Sequence, residues 1–571
     1  MNDFDIVVVG GGPAGLISGC YLQKAGLNVA IFEALDEAGS GKDTRELIRP
    51  EFLSHPHIWL QHMPYTPYIQ DLELYKYGEP GLVPNWMYGK IYDDDTAVMW
   101  HSKDYEKTVK NWSKFSEKDA KAYKEFYKYM MEENRGIRLI ELMNYRPYTW
   151  ENFRELMEDV LGPALPFEDP YELMDMTGYE IVELMFESDK IKAAGTGISM
   201  MFAYYPYYKG SGAFGTLAGV TKGLWMPYAH HRWGVHFSAH SLIKCFKDLG
   251  GDIFTNCPVE KIVVEDGEAK GIILREDSAY PSREISAERG VVSAVSPRYA
   301  FLNLVEEKHI DSDIIASIKT NFKDETFLIT TSFAMEERPK FSATENHPGL
   351  GHTITGRFGI DSWDEVIDWQ QQRGAGKLPD KHDLNYLRPH IHDPTHGPGD
   401  KTIIQHWDEA PFDLIFDGGT ERYDDQDFRD ELLEDYMDTW EKYAPGFKDK
   451  VIEARMFTPL DHVRKNPSYY KGGWNVLSDG QQQLMFANRS NLPGFDKSLV
   501  LTPIENLWNA CGNCIDNESG SSGYVTAWVV ADMLGIRDDC KSWWKHRPTE
   551  WYIQNYAVGE IVEKHEQTYW Q

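Results

Sequence analysis

The sequence predicts an α/β fold in two parts: a discontinuous Rossmann-type domain, and a mixed α+β domain inserted between its segments. Three observations carry this. An apolar β-branched run, Ile6 to Val9, ends in glycines and is followed by a helical pattern from Ala14 to Ala25 and a short strand, Val29 to Phe32, the order of a βαβ unit. Short strands return between residues 240 and 300, after a mostly helical and aromatic stretch from about 60 to 220. A glycine- and serine-rich turn near 510–523 then leads into a last helix, Tyr524 to Leu534.

The first unit holds the most specific signal, Val9-Gly10-Gly11-Gly12-Pro13-Ala14-Gly15, with Glu33 and Ala34 closing the second strand. Gly10 permits the tight turn, Gly12 lets backbone approach a pyrophosphate, and Gly15 lets helix and strand pack closely. The helix start at Pro13 and Ala14 offers unpaired N–H groups and a positive dipole end to phosphates. A carboxylate at Glu33 suits ribose hydroxyls, in NAD or FAD alike. A glycine-rich turn alone is weak, but this one follows a strand, opens a helix and has its acid at the expected distance. A second glycine turn, Gly39-Ser40-Gly41-Lys42, follows as in FAD enzymes, so FAD is the expected cofactor. It is expected to be non-covalent, because no Cys or His sits in a recognisable flavin-attachment motif.

Further along, Ser116 with Asp119 resembles a capping box opening a helix through Lys121 to Met131. A helix from Ser241 to Asp248 ends at Gly250-Gly251. Strands follow at Asp252–Phe254, Ile262–Val264, Gly271–Leu274 and Val291–Ser293, with a turn at Asp266-Gly267. Residues 300–490 read as mixed, loop-rich at 337–400. The glycine motifs at both ends place the cofactor domain at 1–60, 220–300 and 490–540, the substrate domain at 61–219 and 301–489, and a C-terminal extension at 541–571.

The chain has 571 residues, 42% hydrophobic and 26% charged, ordinary for a globular protein and against disorder. A formal net charge of −32 disfavours nucleic acid and anionic lipid surfaces. Six scattered cysteines form no disulfide framework, which makes a reducing cytoplasm the expected location. The opening Met-Asn-Asp-Phe-Asp carries no basic n-region, so no signal peptide is expected, and no apolar run reaches the roughly 18 residues of a membrane span. Membrane contact is expected to be transient at most. Composition leaves the electron acceptor unknown and a homo-oligomer open.

With these motifs in place the chain resembles the phytoene-desaturase-like flavoproteins, within the wider amine-oxidase group and its glutathione-reductase-like cofactor fold. It is most similar to the branch of carotenoid ketolases and pyridine nucleotide-disulfide oxidoreductase domain proteins. The resemblance runs along nearly the whole chain, through Asp71-Leu72-Glu73-Leu74 with Gly78, Phe115 to Ala120, Asp393-Pro394-Thr395, Thr458-Pro459-Leu460-Asp461, Gly472-Gly473 and Thr502-Pro503-Ile504. It implies extended FAD, adenine contact at Val259, and a strand and turn at Val291 to Pro297. It also implies hydride removal from, isomerisation of or oxygenation of isoprenoid-like apolar substrates. Three places depart from the family pattern. The double glycine after the ribose acid is Gly39-Ser40-Gly41. A Gly-Gly-Met-Gly turn beside the flavin is replaced by His231-Arg232-Trp233-Gly234. A C-terminal glycine run becomes Asn517 to Gly523.

These departures supply the candidate chemistry. His230, His231 and Arg232 are expected to face the isoalloxazine, where a His can move a substrate proton and Arg can stabilise charge; the bland reading has them bonded to nearby loops. Gly512 and Asp516 are candidates for the ribityl chain or pyrimidine edge, and Ser522 and Gly523 for aiming the last helix at flavin O2. Cys511-Gly512-Asn513-Cys514 has redox-dithiol spacing but lies in the flavin turn, so ordinary thiols are expected. Met200 to Tyr208 can line an apolar tunnel or touch a membrane, or simply be core. His390, His392, His396 and His406 suggest metal by count, yet lack a recognisable ligand spacing, and no metal is expected. The expected function is FAD-dependent dehydrogenation or desaturation of a hydrophobic, oxygenated isoprenoid or alicyclic molecule. The alternative is a non-redox isomerase or hydratase/dehydratase.

Overall fold

The computed structural model describes residues 3–549 except 40, 58, 60–64, 80, 103, 148, 201–205, 322–326, 474–499 and 512–519. Its first sheet is built on Phe4–Val9, whose residues Ile6 to Val9 are at most 3% exposed. Such a strand needs cover on both faces, which is why helices flank it. Parallel neighbours give the spatial order Asp252–Phe254, Val29–Phe32, Phe4–Val9, Glu284–Ser293, Leu507–Asn509. Glu268–Leu274 and Val259–Glu265 extend the sheet as an antiparallel meander. Three separated segments thus make one sheet. The tight turn between the meander strands is at Asp266 (φ +49°) and Gly267 (φ +84°), both left-handed as a hairpin of this length requires.

The glycine turn behaves as its residues dictate. Gly10 takes φ +98°, and the helix begins at Pro13 and runs to Lys24. A Cβ on Gly15 would lie 2.0 Å from the Gly10 carbonyl oxygen, so only glycine lets this helix rest on its strand. The helix Ser521–Met533 packs across it just as closely: a Cβ on Gly523 would lie 2.2 Å from the Ala14 carbonyl oxygen. Asp71 knits this region together, accepting from the Tyr21 hydroxyl at 2.8 Å and facing His546 Nδ1 at 2.8 Å.

The second sheet runs Val451–Phe457, Leu328–Met335, Thr402–Glu409, Leu384–Leu387, Thr355–Phe358, Trp86–Ile91, Ala97–His101. It is antiparallel except where Thr355–Phe358 meets Trp86–Ile91. The helix Gln426–Tyr443 lays Phe428, Leu432, Tyr436 and Trp440 on it. The two strands at 86–101 correct the mostly helical reading of 60–220. Their aromatic residues are pleated partners in a buried sheet, and apolar runs alone do not separate a short buried strand from a helix. Another correction concerns Ser116. Its Oγ accepts from the Asp119 N–H at 3.0 Å, but the Asp119 carboxylate turns away to accept from the N–H groups of Glu187 and Ser188, so the cap is half a box. The helix expected from Ser241 begins earlier, at His236. Among the described residues no helix is long and apolar enough to cross a membrane.

Candidate active site

A cleft opens at the carboxyl ends of the parallel strands, where such sheets bind ligands. It runs from Val259 and Arg275, past Glu33 and Ala34, over Gly10, Gly12, Pro13 and Ala14, to Gly41, Cys511 and Gly520. Eight of the expected cofactor residues are therefore on its wall. Gly15 lies one step behind, as a packing residue. Lys42 is not on the wall: it is fully buried, and its Nζ donates to Ser238 Oγ at 2.8 Å. Burial pushes its ammonium down to about 8, against the opposing pull of Glu79. Ser522 Oγ donates to the Ala510 carbonyl at 2.8 Å and so fixes the start of the last helix. Gly512 and Asp516, with Cys514, lie outside the described residues.

The cradle fits FAD on its own geometry. Glu33 Oε2 accepts from the Gly11 N–H at 2.7 Å and Oε1 from the Leu35 N–H at 2.9 Å, which aims the carboxylate into the cleft and leaves lone pairs for ribose hydroxyls. Burial raises the carboxyl while these N–H groups oppose it. Gly10, Gly12 and Gly41 on the cleft wall carry no side chain and leave the backbone bare where a pyrophosphate must approach.

The opposite wall was not read from the sequence. It consists of His57 and the segment Lys465 to Tyr469. Lys465 pairs with Asp43, and burial lowers its ammonium despite that partner. The helix before it, Pro459–Lys465, starts from a capping box in which Thr458 and Asp461 satisfy each other's N–H groups. That box is the one local signal that this loop is rigidly presented.

His230 and His231 do not stand on an open flavin face. They form a two-residue strand paired with Gly81–Leu82, and both are 0% exposed. His231 Nδ1 lies 3.2 Å from Glu79 Oε1, itself buried. Burial lowers His231 more than Glu79 raises it, and lowers His230 further. Burial thus disfavours the charged form of both rings. Arg232 turns outward, its guanidinium 5.8 Å from the Trp233 ring. Trp233 has φ +63°, a strained value for a bulky residue, and its N–H is held by Asp393 Oδ2. The two histidines of this turn are therefore folded into the interior, while Trp233 stays exposed and Arg232 partly so.

The four histidines grouped by sequence are separated. His406 sits in the second sheet, accepting at Nδ1 from Trp440 Nε1 at 3.0 Å, while His396 alone reaches the His230 region, with ring centroids 5.6 Å apart. Cys511 is buried. Tyr207 and Tyr208 pack edge to face at 4.7 Å; residues 201–205 lie outside the described residues.

Comparison with known proteins agrees with this geometry. Residues 8–72 match the NAD(P)-binding Rossmann-like domain. The chain is 25% identical over 550 residues to mouse pyridine nucleotide-disulfide oxidoreductase domain-containing protein 2, covering 90% of each. It is 25% identical over 392 residues to one of the limonene dehydrogenase polypeptides of Castellaniella defragrans, covering 67% of this chain and 68% of that one. Phytoene desaturase (lycopene-forming) of Pantoea ananas is 21% identical over 547 residues, covering 92% and 99%. Cyclohexylamine oxidase of Brevibacterium oxydans shares the fold, with TM-score 0.56 at 14% identity over 93% of this chain and all of that one. Over most of its length the chain is thus similar to proteins named as desaturases and dehydrogenases, and it has the fold of the amine-oxidase-type structures, with a Rossmann-like dinucleotide-binding domain at its start.

Proposed function

We propose that this flavoprotein dehydrogenates or desaturates a hydrophobic small molecule of isoprenoid or alicyclic type that carries oxygen. The observation that carries the reading is the buried polar set around His231: His231, Glu79 and Lys42, all at most 5% exposed. Both oxygens of Glu79 and both ring nitrogens of His231 lack hydrogen-bond partners of good geometry. Polar atoms in that state are costly, roughly 1–3 kcal/mol each, unless a ligand supplies partners. A pure hydrocarbon offers none; a hydroxyl, carbonyl or carboxylate does. Relatives named for limonene and phytoene support an apolar frame.

When bound, FAD supplies the hydride acceptor. This chain's part is to place the substrate and move a proton. His231, neutral and backed by Glu79, can accept that proton, after which the buried carboxylate stabilises the imidazolium. Arg232, at the mouth of the turn, can bind a polar substrate group.

The test is anaerobic mixing of the purified flavoprotein with cyclic and acyclic terpenoid alcohols, ketones and acids, and with their parent hydrocarbons. Bleaching of the flavin by an oxygenated compound, at a rate well above that of its hydrocarbon, is the expected result. If a long hydrocarbon polyene reacts best, the substrate reading fails. If product forms while the flavin spectrum never changes, the enzyme is a non-redox isomerase or hydratase.

A further inference from the structure

We infer that His230, Asp393 and His396 form a site for a divalent transition-metal ion, set between the turn that leads into the His236–Asp248 helix and the loop that precedes Thr402–Glu409. One potential ligand atom from each lies within 4.8 Å of the other two, and all three residues are 0% exposed. His396 Nδ1 is 3.2 Å from Asp393 Oδ2, yet the pair lacks hydrogen-bond geometry, and both ring nitrogens of His230 have no hydrogen-bond partner. Two ligands of one tetrahedral zinc, each bonded at about 2.0–2.1 Å, sit roughly 3.3 Å apart, so the contact has the length of an edge of such a site.

The surroundings are those of a ligand set. His396 Nε2 lies 3.1 Å from His55 Nε2, and His55 Nδ1 lies 3.0 Å from Thr44 Oγ1. If His396 donates from Nε2 to His55, and His55 donates from Nδ1 to Thr44, every proton in the chain is placed and His396 Nδ1 keeps its lone pair for the ion. Metal-bound histidines are normally braced through the other ring nitrogen in this way. Asp393 Oδ1 accepts from the Thr395 N–H at 3.0 Å and its hydroxyl at 2.7 Å, which fixes the carboxylate plane. Imidazole selects a zinc- or iron-like ion over calcium or magnesium, which prefer oxygen shells. The site would tie the turn carrying His230 to the loop of the second sheet. The opposite tautomers make the same atoms a simple hydrogen-bond chain, and the test separates the two.

Flavin-loaded full-length protein is analysed for Zn, Fe, Mn and Cu, then stripped with EDTA and titrated with zinc sulfate by calorimetry. About one ion per chain is expected, with His230→Gln abolishing it and His55→Gln weakening zinc affinity about 10- to 100-fold, as for other bracing residues. Because Asp393 also holds the Trp233 turn, His230→Gln is the decisive variant, with circular dichroism to confirm its fold. Glu37→Gln is the control: Glu37, His236 and His240 also lie close enough to hold an ion, but Glu37 is exposed and already pairs with both histidines at 2.9 and 2.8 Å. The proposal is overturned if the parent has no stoichiometric metal and no titratable zinc binding, which leaves a hydrogen-bond chain. It is equally overturned if a bound ion survives His230→Gln, or is lost in Glu37→Gln.

Discussion

Substituting Gly15 by alanine tests the cofactor cradle with one methyl group. The new Cβ would lie 2.0 Å from the Gly10 carbonyl oxygen and 3.2 Å from Ala294 Cβ. An ordinary nonbonded separation is about 3.5 Å, so the helix must lift from its strand by roughly 1.5 Å. Phosphate hydrogen bonds from the helix start are about 2.9 Å long and do not survive that displacement. Losing two charge-assisted bonds at about 1.5–3 kcal/mol each weakens FAD binding by about 3–6 kcal/mol, or roughly 10²- to 10⁴-fold in Kd. Overpacking should also lower the stability of the apoprotein by about 1–3 kcal/mol. The assay is flavin-fluorescence titration of deflavinated protein, with apoprotein Tm measured separately. Gly351→Ala is the control, because a Cβ there meets only Thr344 Cγ2 at 3.8 Å. If Gly15→Ala binds FAD with the parent's affinity, the close approach is not what holds the pyrophosphate, and the reasoning is refuted.

Three further outcomes are expected. Glu33→Ala removes the acceptor of the Gly11 and Leu35 N–H groups, and should lower both Tm and FAD affinity; unchanged values in both would show that the carboxylate contacts neither backbone nor ribose. His382 is buried between Asp408 at 2.7 Å and Asp435 at 2.9 Å; burial works against protonation, but the two carboxylates raise the imidazole to about 9. A raised histidine stabilises the fold fully below its unfolded value near 6.5, and that contribution is lost as pH climbs through 9. His382→Gln should cost about 3 kcal/mol in urea unfolding near pH 6 and progressively less towards pH 10; a constant deficit would contradict the ion pairs. His231→Ala should slow flavin reduction by about 10²-fold, the usual size of a general-base contribution, while Arg232→Ala should raise KM more than it lowers kcat. Parent-like kinetics in both variants would make these residues structural.

Much of the cofactor domain was legible because its signals are local. Gly10, Gly15 and Glu33 have conformational and hydrogen-bonding demands that a seven-residue turn and one acid express without the rest of the chain. The strands Asp252–Phe254 and Val29–Phe32 were readable to the residue, since each follows closely on the left-handed glycine that ends a helix. The second sheet was harder. Trp86–Ile91 and Ala97–His101 are buried on both faces, so they lack the polar alternation that marks a strand. The site was least legible where contacts are long-range. His55, His230 and His396 are separated by well over a hundred residues and meet only through the fold, which no local pattern within residues 390–406 announces. Lys42 likewise follows a glycine turn suited to phosphates, but Ser238, far along the chain, claims its ammonium.

The most direct measurement is the cofactor itself. Protein purified under gentle conditions and supplied with FAD is denatured, and the released small molecule is identified by mass and quantified against the chain. One FAD per chain, released without proteolysis and bleached before release by an oxygenated apolar substrate under anaerobic conditions, is expected from a cradle that presents Gly10, Gly12 and Glu33 to a dinucleotide. Recovery of NADP instead, or of no dinucleotide at all after FAD addition, would contradict it.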